Sequence, residues 1–157
     1  MDDLEDAEDM ITDLMNDHGL FDWSFKWDRA VRRFGCCKFA TQTITVSRAL
    51  TLLNTEKAVR ETALHEIAHA LVGPKHGHDA VWMRQYRAIG GTGGRTHRDT
   101  TPPKNYVGAC PNCDHTTNRY RRGNLACSRC CNRYNNGRWS AEYKLVWTTL
   151  DTKVRTA

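Results

Sequence analysis

Residues 55–82, TEKAVRETALHEIAHALVGPKHGHDAVW, hold the stretch on which the reading of this chain turns. Asn54 or Thr55 can cap a helix, and Glu56 sits in its positive first turn. Val59, Ala63, Ile67 and Leu71 follow at intervals of four, one helical face. Leu64, Ala68, Ala70 and Val72 make the other faces apolar as well, which predicts a buried helix. Gly73 and Pro74 end it, since Gly suits the left-handed cap position and Pro cannot continue a helix. A second helix is expected from about residue 80 to 89, with Asp79 as its N-cap.

Inside the buried helix stands His65-Glu66-Ile67-Ala68-His69. Two imidazoles at i and i+4 lie on one face about a turn apart, so both can reach one zinc ion. Polar side chains buried without partners would each cost about 1–3 kcal/mol, and a metal supplies the missing partner. Zinc lowers the pKa of a bound water and polarises a carbonyl; Glu66 can accept the proton and pass it to a leaving amine. A third ligand is needed, and spacing alone allows either His76 or His78. The longer pattern HExxHxxGxxH fails by register, because Val72 and Lys75 occupy its Gly and final His positions.

Upstream, Leu4, Met10, Ile11, Leu14 and Met15 recur at helical spacing among acids, which predicts an amphipathic first helix ending near Gly19. Trp23, Phe25 and Trp27 alternate with polar residues as a strand does, and further strands are expected around 33–40 and 43–47. A tight connection at Thr41 and Gln42 suggests an antiparallel meander of three strands. Downstream, GGTGGRTHRDTTPPK is the best linker in the chain. Beyond it, Cys110-Pro-Asn-Cys113 and Cys127-Ser-Arg-Cys130 form two C-x2-C pairs suited to a tetrahedral structural zinc. The chain between them can form a hairpin turning near Gly123 and Asn124. Cys131 is then a free fifth thiol, and Cys36 and Cys37 a reduced, half-buried pair.

Composition sets the outer bounds. The 157 residues are 39% hydrophobic, enough for a core, and no stretch approaches the roughly 20 apolar residues that cross a bilayer. Residues 1–17 carry eight acids and no Lys or Arg, the reverse of a signal peptide. A soluble, intracellular chain without membrane contact is expected, where seven cysteines serve as ligands or free thiols rather than disulfides. The net charge of +5 conceals an asymmetry: residues 92–157 hold twelve bases against four acids. In that basic part Arg119, Tyr120, Arg121 and Arg122 combine phosphate-binding and base-stacking groups, a candidate nucleic-acid contact. Tyr143, Leu145 and Trp147 alternate and are expected to pack instead.

HEIAH followed by His78-Asp79-Ala80-Val81-Trp82 resembles the SprT-like metallopeptidases, the family that includes Spartan. Their pattern is HExxH and then a third histidine in an H-G-x-x-aromatic segment opening the next helix. The match implies His78 as third ligand, Trp82 at the aromatic position and His76 as a loop neighbour; Asp79 stands where the family usually has Gly. HGLFDWSF, RRFGCC, TITVS and LN are similar to the family's strand region, so the likeness covers roughly residues 10–91 and, with the cysteines, most of the chain. It implies an α+β, zincin-like domain over 1–91 (first helix, small antiparallel sheet, HExxH helix, following helix), a linker at 92–105, a zinc ribbon at 106–150 and a tail at 151–157. It further implies an endopeptidase with one catalytic and one structural zinc, acting on DNA-associated or DNA-crosslinked proteins and enhanced by DNA. Two other readings compete. One is a ribbon module that binds nucleic acid and uses its first half only for docking, a role with no need of Glu66. The other is a peptidase with non-DNA targets, which DNA would not stimulate.

Overall fold

The computed structural model describes residues 4–94 and 99–150; the expected tail at 151–157 and part of the linker lie outside them. The architecture is α+β, in two compact units, 1–102 and 103–157. No helix among the described residues is long and apolar enough to cross a membrane.

In the first unit, α1 (Leu4–Asp17) buries Ile11, Leu14 and Met15 of the predicted stripe together with Ala7, while Leu4 and Met10 are half-buried. Three strands follow: β1 (Ser24–Asp28), β2 (Gly35–Lys38) and β3 (Thr43–Ser47). Their order is β1-β3-β2, with β1 parallel and β2 antiparallel to β3. The expected antiparallel meander is therefore replaced by a mixed sheet. The physical reason is the segment 29–34, which is too long for a hairpin turn and is tied to the end of β3. Ser47 donates its backbone N–H to Phe34 O at 2.7 Å and its hydroxyl to Ala30 O. The chain thus crosses the end of β3, and β2 starts on the far side. All five residues of β3 are buried, as a central strand requires.

Ser47 also accepts the N–H of Leu50 and so starts a short helix, α2 (Arg48–Leu53), which the periodicity did not reveal. Thr55 caps α3 (Glu56–Val72) by accepting Ala58 N–H, and Gly73, at φ 88°, stops it. Helix α3 is buried through its middle, from Val59 to Ala68 apart from Arg60, and emerges at Leu71. Asp79 caps α4 (Ala80–Ala88) at 3.0 Å from Trp82 N. Of the segment read as linker, Thr92 and Gly93 bond to Glu61, and Thr100 exchanges hydrogen bonds with Asn54.

In the second unit, β4 (Tyr106–Ala109) is flanked by β5 (Thr116–Arg119) and β6 (Val146–Thr149), both antiparallel to it. The hairpin turns at the first cysteine pair, where Cys110 N–H meets His115 O at 2.9 Å. It does not turn at Gly123 and Asn124 as expected, because β5 finds its partner in β4, before the cysteines. A helix α5 (Ser128–Tyr134) carries the last two cysteines of the chain. Tyr143 and Leu145 are buried and Trp147 half-buried, so all three pack.

Candidate functional site

Helix α3 presents His65 and His69 one turn apart, and the loop ahead of α4 brings His78 to them. His78 Nε2 lies 2.8 Å from His65 Nε2 and 3.0 Å from His69 Nε2. Three ring nitrogens converge on one point, a few tenths of an ångström tighter than the roughly 3.3 Å expected around a tetrahedral zinc. Burial, helped by neighbouring His78, depresses the His69 pKa to about 4, so at neutral pH its ring is a neutral donor. The donor set therefore fits a zinc ion. His76 stands outside this group and is engaged elsewhere, its Nδ1 2.8 Å from Asp79 Oδ2. The carboxylate at position 79 thus holds the loop and caps α4.

Trp82, fully buried, is the floor of the site. Its ring lies 4.6, 5.3 and 4.7 Å from those of His65, His69 and His78, stacked on the second. Tyr86 stacks beneath it at 5.0 Å.

Glu66 is buried beside the histidines, and burial pushes its carboxyl up to about 7 against the opposing pull of the Cys37 backbone N–H and the more distant Arg33. Strand β2 passes directly over this side chain. A Cβ at Gly35 would fall 2.8 Å from Glu66 Cγ, Glu66 Oε1 and Thr62 Cγ2, so only glycine allows that approach. A cleft of about 560 Å³ opens over the group, bounded by Arg32, Arg33, Phe34, Cys36, Phe39 and His76 in addition to the histidines and Glu66. Desolvation, the Glu66 carboxylate and Cys36 push the Cys37 thiol up to about 12, leaving it protonated. Cys36 and Cys37 are both half-buried and free.

In the second unit the sulfurs of Cys110, Cys113, Cys127 and Cys130 cluster. Cys110 and Cys130 are 3.8 Å apart, Cys113 and Cys127 3.7 Å. A tetrahedral ion with Zn–S bonds of about 2.3 Å would space its sulfurs by about 3.8 Å, so this donor set fits zinc closely. Asn112 directs its backbone and side-chain N–H groups at Cys110 Sγ and Cys130 Sγ, each at 3.4 Å. Cys131 is buried outside the cluster. Arg119, Arg121 and Arg122 are exposed and Tyr120 is half-buried. The Arg122 guanidinium lies 5.0 Å over the ring of Tyr106, an aromatic the sequence reading passed over.

Other contributors had no sequence signal of their own. Gly35 and the Cys37 N–H act through backbone position. Glu61 and Tyr86 meet across a 25-residue separation. A match of TG after α4 to a buried acid one turn before HExxH could have been noticed only with both partners known.

The chain matches the model of the SprT-like family over residues 4–104. Comparison with curated proteins and with solved structures returns no match. A match over well more than half of the chain, spanning the converging histidines and the cleft, establishes kinship: this protein belongs to the SprT-like family.

Proposed function

We propose that the protein is a zinc-dependent endopeptidase whose catalytic zinc is held by His65, His69 and His78. The observation that carries this reading is the convergence of three imidazole nitrogens beside a buried carboxylate in an open cleft. Held by these three rings, zinc would supply Lewis-acid polarisation of a carbonyl and lower the pKa of a water. Glu66 takes up the proton of that water and delivers it to the leaving amine, the role of a positioned general acid–base. The Cys37 N–H restrains its carboxylate, and Gly35 lets β2 close over it. Trp82 fixes the planes of the ligand rings and keeps water from their inner side.

A second zinc, on Cys110, Cys113, Cys127 and Cys130, holds the ribbon, whose cysteine geometry supports that assignment. The exposed Arg119, Arg121 and Arg122 with Tyr120 contact DNA, and the substrates are DNA-associated or DNA-crosslinked proteins. The basic composition of this half supports the partner, through the phosphate term that dominates such binding.

The test compares wild type and Glu66→Gln on a DNA-bound protein and on the same protein free, with and without chelator. Chelator-sensitive cleavage that DNA stimulates and Glu66→Gln abolishes, zinc content unchanged, is expected. Cleavage by a zinc-loaded Glu66→Gln protein at the wild-type rate would sink the mechanism. Cleavage indifferent to DNA would remove the DNA-bound substrate class.

A further inference from the structure

Glu61 lies one turn before His65 on α3 and is buried. A buried carboxylate is costly unless donors surround it, and here they come from α4 and the segment just past it. Tyr86 on α4 donates its hydroxyl to Glu61. Just past α4, Thr92 donates its backbone N–H at 3.0 and 3.2 Å and its hydroxyl at 2.5 Å, and Gly93 N–H adds a bond at 3.2 Å. Gly93 N–H also reaches the Tyr86 hydroxyl at 3.2 Å. The chain can fold back this tightly because Gly91 lies against the Tyr86 ring, where a Cβ would fall 2.2 Å from Cε2.

These bonds tie the C-terminal end of α4 to α3. The other end of α4, about 13 Å away for nine residues, begins beside His78. Between the two ends runs a stack: the Tyr86 ring on Trp82 at 13° interplanar, and Trp82 on His69 at 27°. Trp82 Nε1 also donates to His65 O at 3.4 Å. Two of the three converging histidines ride on α3 and the third on the approach to α4. Their convergence therefore depends on how α4 lies over α3.

We infer that Glu61, gripping Tyr86, Thr92 and Gly93, is a positioning residue that sets α4 on α3 and thereby brings His78 into register with His65 and His69. The inference rests on the reading of these histidines as zinc ligands. Loosening the grip leaves every ligand in place but lets the set spread, so the consequence is weaker metal binding in a folded protein. Groups that orient metal ligands from behind cost about 10–100-fold in metal affinity when removed.

The experiment uses the full chain, zinc-loaded, with long-range proton–nitrogen spectra of the imidazoles. The four-cysteine cluster has no histidine ligand, so the signals of His65, His69 and His78, assigned apart from the chain's other four imidazoles, report the histidine site. A zinc-competing chelator is titrated into wild type, Tyr86→Phe, Thr92→Val and the conservative Thr92→Ser, with near-ultraviolet circular dichroism to verify folding. Expected are a 10–100-fold loss of affinity in Tyr86→Phe, a smaller loss in Thr92→Val, wild-type affinity in Thr92→Ser, and displaced His78 signals in the zinc-saturated variants. Thr92 is exposed, so Thr92→Val carries the test should Tyr86→Phe not fold. A lowered melting temperature with unchanged affinity and unchanged imidazole signals would overturn the proposal and leave Glu61 a stabilising residue only. Absence of zinc-dependent imidazole shifts in the wild type itself would instead overturn the ligand reading, and the proposal with it.

Discussion

Gly35→Ala tests how closely β2 and the Glu66 carboxylate, the proposed general base, are fitted together. The added Cβ would lie 2.8 Å from Glu66 Cγ, Glu66 Oε1 and Thr62 Cγ2 at once. Ordinary carbon–carbon contacts begin near 3.5 Å, so the two carbon pairs fall short by about 0.7 Å, and the pair with Oε1 is also too close. Both side chains are held in place. Glu66 is 8% exposed and held by the Cys37 N–H, while Thr62 is 2% exposed and donates its hydroxyl to Ala58 O at 2.9 Å. Gly35 in turn is paired with Val46 across the sheet. Overpacking of this kind costs about 1–3 kcal/mol, and each kcal/mol lowers the melting temperature of a unit of this size by about 4–8 °C. A displacement of that order at a reacting group lowers kcat/KM on the order of 10- to 100-fold. Zinc content should not change, because no ligand is touched. The assays are thermal unfolding, metal analysis and cleavage of a protein substrate. Adding Thr62→Ser removes one of the obstructing atoms, so the double variant should regain stability but little activity. Wild-type activity together with a lowered melting temperature would show that β2 yields and Glu66 does not, which would refute the assigned fit.

Three further outcomes follow from the sites. Metal analysis should find two zinc ions per chain, with one lost in His65→Ala and the other in Cys127→Ser; a single ion in the wild type would contradict the pair of centres. Cys37, its thiol pushed up to about 12, should alkylate slowly at pH 8 in the zinc-loaded chain and faster in Glu66→Gln, as read by peptide mass spectrometry; labelling as fast as in the unfolded chain would refute its burial against the carboxylate. Glu61 titrates in the opposite sense to Glu66. Burial raises its pKa, but the donors from Thr92, Tyr86 and Gly93 outweigh this and hold it down at about 2, against 4.5 unperturbed. Its contribution to stability is therefore present above pH 4.5 and lost as the pH falls toward 2. Acid unfolding of Glu61→Gln should lack this component, and an identical pH profile in variant and wild type would refute it.

Local reading carried far at the centre of the chain. The caps Thr55 and Asp79, the stop at Gly73 and the buried α3 follow from side-chain chemistry within a few residues, and the structure places them where the pattern does. The same holds for the cysteine pairs, because two knuckles of fixed spacing can close on one another in few ways. Asp79, the departure from the family pattern, proves compatible for a local reason as well: its two oxygens are occupied by Trp82 N–H and His76.

What the sequence alone determined, then, is the inventory: which residues could bind metal, which one could move a proton, and which helices carry them. The tertiary structure decided how these come together. It placed β3 between β1 and β2, because Ser47 holds the 29–34 segment across its end. It brought His78, and not His76, up to His65 and His69, set Gly35 against Glu66, and closed Glu61 on Tyr86 and Thr92. The division has one physical cause. Periodicity and capping record backbone geometry and burial over a turn or two, whereas these pairings join groups separated by 9 to 31 residues and depend on which surfaces pack.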